Sequence, residues 1–181
     1  MPAELLRTPI NGVFEVIAQP FADDRGVFLN AFRAQEPAFT GSWGERSIAQ
    51  VNLSCTEVVG TIRGLHLQAY PYSEAKLVRC MRGRVWDVAV DLRTDSTTYG
   101  QWYGIELSSY KGNALLIAEG CAHGFQVLEA RSELLYLHSC AWVPEAETGV
   151  RWDDPQLAIA WPIPVTALSD RDRTLPFLAD L

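Results

Sequence analysis

One histidine, one of the chain's two lysines and four arginines fall within the 25 residues from Gly60 to Arg84, GTIRGLHLQAYPYSEAKLVRCMRGR. An imidazole can exchange protons near neutral pH, and guanidinium forks bind phosphate oxygens through paired hydrogen bonds. The stretch has short β-branched or aromatic runs, broken by glycine and by Tyr70-Pro71-Tyr72. It therefore predicts two strands and a connection, with His66 on the first strand and Lys76 on the second. Alternation puts Gly64, His66 and Gln68 on one face and Leu65 and Leu67 on the other, so the polar face is the candidate site. The plainer alternative is a solvated sheet face with a hydrogen-bonded histidine. The neighbouring cations count against it, as does a second, glycine-bracketed histidine at 119–125 (EGCAHGF).

A metal site in a β-barrel needs three or more converging His, Glu or Asp ligands, commonly starting from a His-x-His pair. Position 68 is glutamine, so half of such a set is missing. His66 and His123 are expected to be proton-transfer or hydrogen-bonding groups, with no metal and no cofactor.

Length and composition bound the scaffold that must hold these groups. The chain has 181 residues, 48% hydrophobic and 20% charged, which predicts one domain spanning 1–181. A net charge of −7 excludes a nucleic-acid surface, although clustered arginines can still bind a small anion. There is no 18-residue apolar run and no signal-peptide layout, which predicts a cytoplasmic protein without a membrane partner. Cys55, Cys80, Cys121 and Cys140 form no Cys-x-x-Cys pair and are expected to be reduced and mostly buried. No phosphate loop and no Gly-x-Ser-x-Gly elbow is present.

The predicted strands are Gly12–Gln19, Val27–Phe32, Ser47–Ser54, the two in the opening stretch, Arg84–Arg93, Trp102–Leu107, Leu115–Ala118, Phe125–Leu128, Ser132–Ser139 and Leu157–Trp161. Asp23 to Gly26 is a turn, Pro37 with Gly41 and Gly44 breaks a weak helix from Ala31 to Phe39, Glu145–Asp154 is a polar connection, and Leu168–Pro176 is a charged turn. Gln50 and Asn52 share a face, as do Leu134, Tyr136 and His138. In Arg84–Arg93, Trp86, Val88, Val90 and Leu92 form a core face, while Asp87 and Asp91 on the other are either solvated or line a barrel interior. About ten short strands without a long helix indicate an all-β sandwich or barrel.

Eight short motifs stand in order along the chain. The first four are Arg-Gly-Leu-His-x-Gln at 63–68, Ala-Lys-Leu-Val-Arg at 75–79, Asp-Val-x-Val-Asp-Leu-Arg at 87–93 and Thr-Tyr-Gly-x-Trp at 98–102. Gly-x-Ala-His-Gly-Phe at 120–125, Leu-Leu-Tyr at 134–136, Trp-Asp-Asp-Pro at 152–155 and Leu-Ser-Asp-Arg-Asp at 168–172 complete the set. Together they resemble the dTDP-4-dehydrorhamnose 3,5-epimerase family, the RmlC-like cupins, from about Gly12 to Pro176. The resemblance implies an all-β, cupin-type jelly-roll barrel. It further implies metal-free epimerisation at C3 and C5 of a nucleotide-linked 4-keto-6-deoxy sugar through enolates, without a cofactor.

By position in these motifs, His66 corresponds to the base, Asp172 to the carboxylate that orients it (Asp170 being the fallback), Tyr136 to the acid and Lys76 to the donor beside the ketone oxygen. The resemblance assigns substrate contacts to Arg25, Phe28, Asn30, Gln50, Asn52, Arg63, His123, Trp142, Glu147 and Arg171. Asp87 and His123 form either a second polar pair of the pocket or a structural hydrogen bond. The family also implies a homodimer with strand exchange, in which Arg25 and Phe28 serve the neighbour's pocket.

Three departures from the family pattern bear on substrate. Asn30 stands where a glutamate is usual, which leaves the nucleotide base open. Tyr70 and Tyr72 stand where smaller or polar residues are common, and Leu137-His138 replaces a more usual lysine-bearing stretch beside Tyr136. The short segment after Pro176 leaves little chain to cover the site. The rival readings are therefore a mono-epimerase acting at C3 or C5 alone on a dTDP-, CDP- or GDP-linked sugar, and a sugar-nucleotide-binding cupin without turnover.

Overall fold

The structure, a computed structural model, describes residues 3–35, 39 and 42–181. Thirteen strands are present among them: β1 (Glu4–Arg7), β2 (Phe14–Ile17), β3 (Phe21–Asp23), β4 (Gly26–Phe28), β5 (Gln50–Thr56), β6 (Ile62–Gln68), β7 (Lys76–Arg82), β8 (Arg84–Asp91), β9 (Trp102–Ser108), β10 (Asn113–Ile117), β11 (Cys121–Val127), β12 (Ser132–His138) and β13 (Glu147–Gly149). They form a six-stranded sheet ordered β1-β2-β10-β7-β12-β5, a five-stranded sheet ordered β13-β6-β11-β8-β9, and a separate β3–β4 hairpin. All the strand pairings are antiparallel. The architecture is an all-β jelly roll.

The alternation of side chains explains both the core and the cavity. On β7 the inward row runs Lys76, Val78, Cys80, and on β12 it runs His138, Tyr136, Leu134. Val78, Cys80 and Leu134 meet Val85, Ala89, Leu107, Phe125 and Val127 of the opposite sheet in a dry inter-sheet core. At the other end of the same rows the side chains are polar, and the sheets enclose a cavity instead. Outward residues of the six-stranded sheet, such as Leu77 and Leu116, pack under Phe39 and Trp43. Those of the five-stranded sheet, including Leu65, Val88 and Val90, pack under Val150, Leu157 and Leu178.

Several expectations need correction. Asp87 and Asp91 are not solvated: both are fully buried. Asp91 accepts from Arg93, Ser96 and Thr98, and although burial pushes its carboxyl up, these donors outweigh it and hold it at about 2. Leu157–Trp161 is not a strand. Leu157 N–H donates to the Asp154 carboxylate and Ala158 has φ of 46°, so the segment curls over the outer face of the sheet. Its apolar spacing reflects that packing and not a ladder. The strand predicted over Val27–Phe32 ends at Phe28, and β11 starts at Cys121, which puts His123 on a strand and not in the turn before it. β1 and β13 carry too few alternating residues to be read from sequence. The charged turn at 168–176 contains helix α1 (Asp170–Thr174). Residues 31–35 are not helical, and Pro37 and Gly41 lie outside the described residues. Two of the four thiols are buried, but Cys55 is exposed and Cys140 half-buried.

Gly64 shows how close backbone approach shapes the site. Its φ is +124°, and a Cβ there would stand 2.5 Å from Gly124 Cα and 2.8 Å from His123 O, both backbone atoms of β11 with no flexible side chain to yield. Gly64→Ala is expected to cost about 2 kcal/mol or more of folding stability. Denaturant titration checks this, and an unchanged midpoint would refute it.

Candidate active site

A cavity of about 770 Å³ opens between the two sheets, of a size that holds a ligand of several rings. His66 enters from β6, Lys76 from β7, His123 from β11 and Tyr136 from β12, and all four line it. Asp172 closes the wall behind His66. The local sequence Ser169-Asp170-Arg171-Asp172 explains its placement: Ser169 caps α1, and its hydroxyl accepts the Asp172 N–H at 3.1 Å. That capped turn directs the carboxylate to His66 Nε2 at 2.6 Å, where it also accepts the Gly64 N–H at 3.3 Å. Burial alone would raise the Asp172 carboxyl, but the bonds from His66 and Gly64, with Ser169, outweigh it and hold the group below its ordinary value. The fallback, Asp170, is exposed.

An ionised Asp172 can only accept, so the shared hydrogen belongs to His66 Nε2 and Nδ1 carries the free lone pair. Tyr136 is the complementary group. Burial pushes its phenol well above the ordinary tyrosine value, opposed by the hydrogen bond with Ser54 Oγ at 3.1 Å, so it keeps its proton at working pH. Its ring meets His123 edge-on at 5.9 Å and stacks on His138 at 6.1 Å. His123 Nε2 and Asp87 Oδ1 are 2.8 Å apart; burial raises the Asp87 carboxyl while His123 opposes the rise. Lys76 Nζ donates to the His66 carbonyl at 3.0 Å and pairs with Glu74 at 2.5 Å.

Polar groups continue from this centre toward the mouth. Gln50 donates to Asn52 at 3.0 Å, and both line the cavity, as does Arg63, whose Nε donates to Thr56 Oγ1 at 3.0 Å. β13 adds to the edge of β6 and brings Glu147 opposite Gln68. Glu147 there accepts from Trp142 Nε1 and pairs with Arg171, each at 2.7 Å. Burial would raise the Glu147 carboxyl, but these two partners hold it low.

Arg25, Phe28 and Asn30 are not brought to this cavity within the chain. The β3–β4 hairpin stands away from it: Arg25 pairs with Asp23, Phe28 is 74% exposed, and Asn30 lines a small separate recess with Phe32 and Arg33. Sequence reasoning also missed cavity residues. Glu74 and Ser54 act only through partners on other strands. His138 shares the inward row of Tyr136, as the alternation predicts; burial, and then the Lys76 charge, lower its imidazole to about 4. Among the described residues no three His, Cys, Asp or Glu side chains are grouped to hold a metal ion. No helix among them is long and apolar enough to cross a membrane.

Residues 7–180 match the sequence profile of dTDP-4-dehydrorhamnose 3,5-epimerase. A dTDP-4-dehydrorhamnose 3,5-epimerase of Sinorhizobium fredii is 41% identical over 89% of this chain and 82% of its own length. A dTDP-4-dehydrorhamnose 3-epimerase of Streptomyces niveus is 41% identical over 94% of this chain and 82% of its own. The crystal structure of the dTDP-6-deoxy-D-glucose-3,5-epimerase of Legionella pneumophila, in complex with dTDP-4-keto-L-rhamnose, superposes with a TM-score of 0.91 at 35% identity, covering 98% of this chain and 93% of that one.

Proposed function

Since the chain belongs to the dTDP-4-dehydrorhamnose 3,5-epimerase family, a cupin-fold isomerase that epimerises a nucleotide-linked 4-keto-6-deoxy sugar at C3 and C5, we propose which of its residues move the protons. The 4-keto group acidifies the C–H bonds on both neighbouring carbons, so each inversion needs a base on one face, an acid on the other, and a donor for the oxygen that becomes an enolate. His66, oriented by Asp172, is the base. Tyr136 is the acid that returns a proton to the opposite face, and Lys76 donates to the ketone oxygen. The observation that carries this reading is that a carboxylate-tethered imidazole and a phenol held neutral by burial face one cavity beside a buried ammonium.

Arg63 and Arg171 at the mouth suit the diphosphate, and Arg171 would exchange Glu147 for phosphate oxygens. Trp142, steadied by Glu147, is available to stack on the base or sugar. The dTDP-sugar bound in the Legionella relative supports a substrate of that class.

The second reading, a mono-epimerase, is favoured by His138 beside Tyr136 and by the 3-epimerase relative. One experiment separates the alternatives: incubate dTDP-4-keto-6-deoxyglucose, and CDP- and GDP-linked 4-keto-6-deoxy sugars beside it, with the protein in deuterated water and follow C3 and C5 by NMR. Exchange at both carbons is expected. Exchange at C3 or C5 alone would make it a mono-epimerase, and none with any of these sugars would leave a binding protein.

We also propose a homodimer. Phe21, Val27 and Phe28 of the hairpin and Val51 and Leu53 of the edge strand β5 expose apolar area that a second copy would cover, and strand exchange would carry Arg25 and Phe28 into the partner's cavity. A monomer in sedimentation velocity would end that proposal.

A further inference from the structure

Glu74 is a carboxylate buried to 6% exposure beside a cavity whose assigned ligand is anionic, and no role has been given to it. Its two oxygens are both engaged. Oε1 meets Lys76 Nζ at 2.5 Å, and Oε2 accepts the Gln68 N–H at 3.1 Å. It thereby ties the end of β6, two residues past His66, to the start of β7. Lys76 is as buried as its partner, and its ammonium has three hydrogens. One goes to Glu74 and one to the His66 carbonyl at 3.0 Å, which leaves one for the cavity that Lys76 lines.

We propose that Glu74 is a positioning residue that fixes the remaining Lys76 N–H on the ketone oxygen and, as its buried counter-ion, keeps the ammonium charged while negative charge builds there. The proposal rests on the assignment of Lys76 as donor to that oxygen. Without Glu74 the ammonium could swing on its four-carbon stem, and a buried cation without a counter-ion gives up its proton more readily. The other titratable groups facing the pair are His138 from β12, His66 from β6, and His123 and Cys121 from β11. Burial puts the Cys121 thiol at about 12, and His138 is neutral above about 4, so neither imposes an alkaline limb at moderate pH.

Glu74→Gln is the direct test, because glutamine keeps an acceptor for the Gln68 N–H and removes only the charge. The expected result is a fall in kcat of roughly tenfold or more with KM within about threefold, and an alkaline limb of the kcat profile moved down by about one pH unit or more. Wild-type kcat and an unmoved limb would overturn the proposal. Glu74→Asp, which keeps the charge one methylene further back, is expected to lose kcat while keeping the limb.

Lys76→Met and Lys76→Met with Glu74→Gln are then compared, the latter replacing a buried ion pair by neutral groups of similar size. Equal turnover in the two supports action through Lys76, and a further fall in the double variant overturns it. If Lys76→Met alone retains full turnover, it is the assignment of Lys76 that fails, an outcome distinct from failure at Glu74.

Discussion

Replacing His66 by asparagine is expected to lower kcat by about 10³- to 10⁴-fold and to abolish solvent exchange at C3 and C5 together, with substrate affinity little changed. Both positions should fail at once for a stereochemical reason. In the chair of a gluco-configured sugar, the hydrogens on C3 and C5 are axial on the same face, so one base above that face can reach either. Two imidazoles lining the cavity pair with carboxylates, and only at His66 is the partner, Asp172, held below its ordinary value; burial raises that of Asp87 beside His123. Asparagine fits within the space histidine occupies, and although its shorter amide does not reach Asp172, that carboxylate keeps the Gly64 N–H as a donor, so the fold should persist. Loss of exchange at one carbon alone would refute a single shared base.

The pH behaviour of the pair follows from the lowered carboxyl of Asp172. A depressed carboxyl contributes stability that is complete above its unfolded value and is lost as pH falls through the lower folded value. Asp172 therefore stays ionised, and Nε2–H stays bonded to it, at any pH where the enzyme would work. An acid limb in kcat belongs to a group other than Asp172.

The centre of the site was legible because His66 and Tyr136 sit within strands, Lys76 at the start of one, and Asp172 in a capped turn. Alternation placed His66 with Gln68 and Tyr136 with His138, whereas Asp172 was read only from its place in Leu-Ser-Asp-Arg-Asp; the Ser169 cap is what turns it inward while Asp170 stays exposed. Glu74 was not legible, since it precedes β7 in a connection where no periodicity assigns a face. Ser54 lies on β5 in an alternation already read, but its bond to Tyr136 depends on the β5–β12 register, which one strand's sequence does not contain. The Trp-Asp-Asp-Pro motif marked a structural device and no chemistry: Asp154 is buried and its carboxylate accepts the N–H groups of Gln156, Leu157 and Leu178, anchoring the segment that covers the five-stranded sheet. Arg25 and Phe28 stand off the cavity of their own chain because their hairpin pairs only with itself.

Tyr136→Phe is expected to separate the two halves of the reaction that His66→Asn stops together. The substitution removes one hydroxyl from a ring packed between His123 and His138 and leaves Ser54 the only polar group to find a new partner, so the fold should be retained. His66 can still remove a proton and return it to the face it came from. With deuterium on the base, that return labels the substrate with its configuration unchanged, so label should still enter. Inversion needs a proton from the opposite face, and the phenol is the group there that burial keeps protonated. Epimer formation should therefore fall by about 10²- to 10³-fold while exchange falls far less. Because the Tyr136 proton is held well above the ordinary phenol range, the wild-type rate of inversion should show no alkaline decline due to this residue below that range. NMR of the recovered sugar reads both quantities in one sample. Equal losses of label uptake and inversion would mean that Tyr136 acts on the first proton transfer, and the two-faced mechanism would have to assign its acid elsewhere.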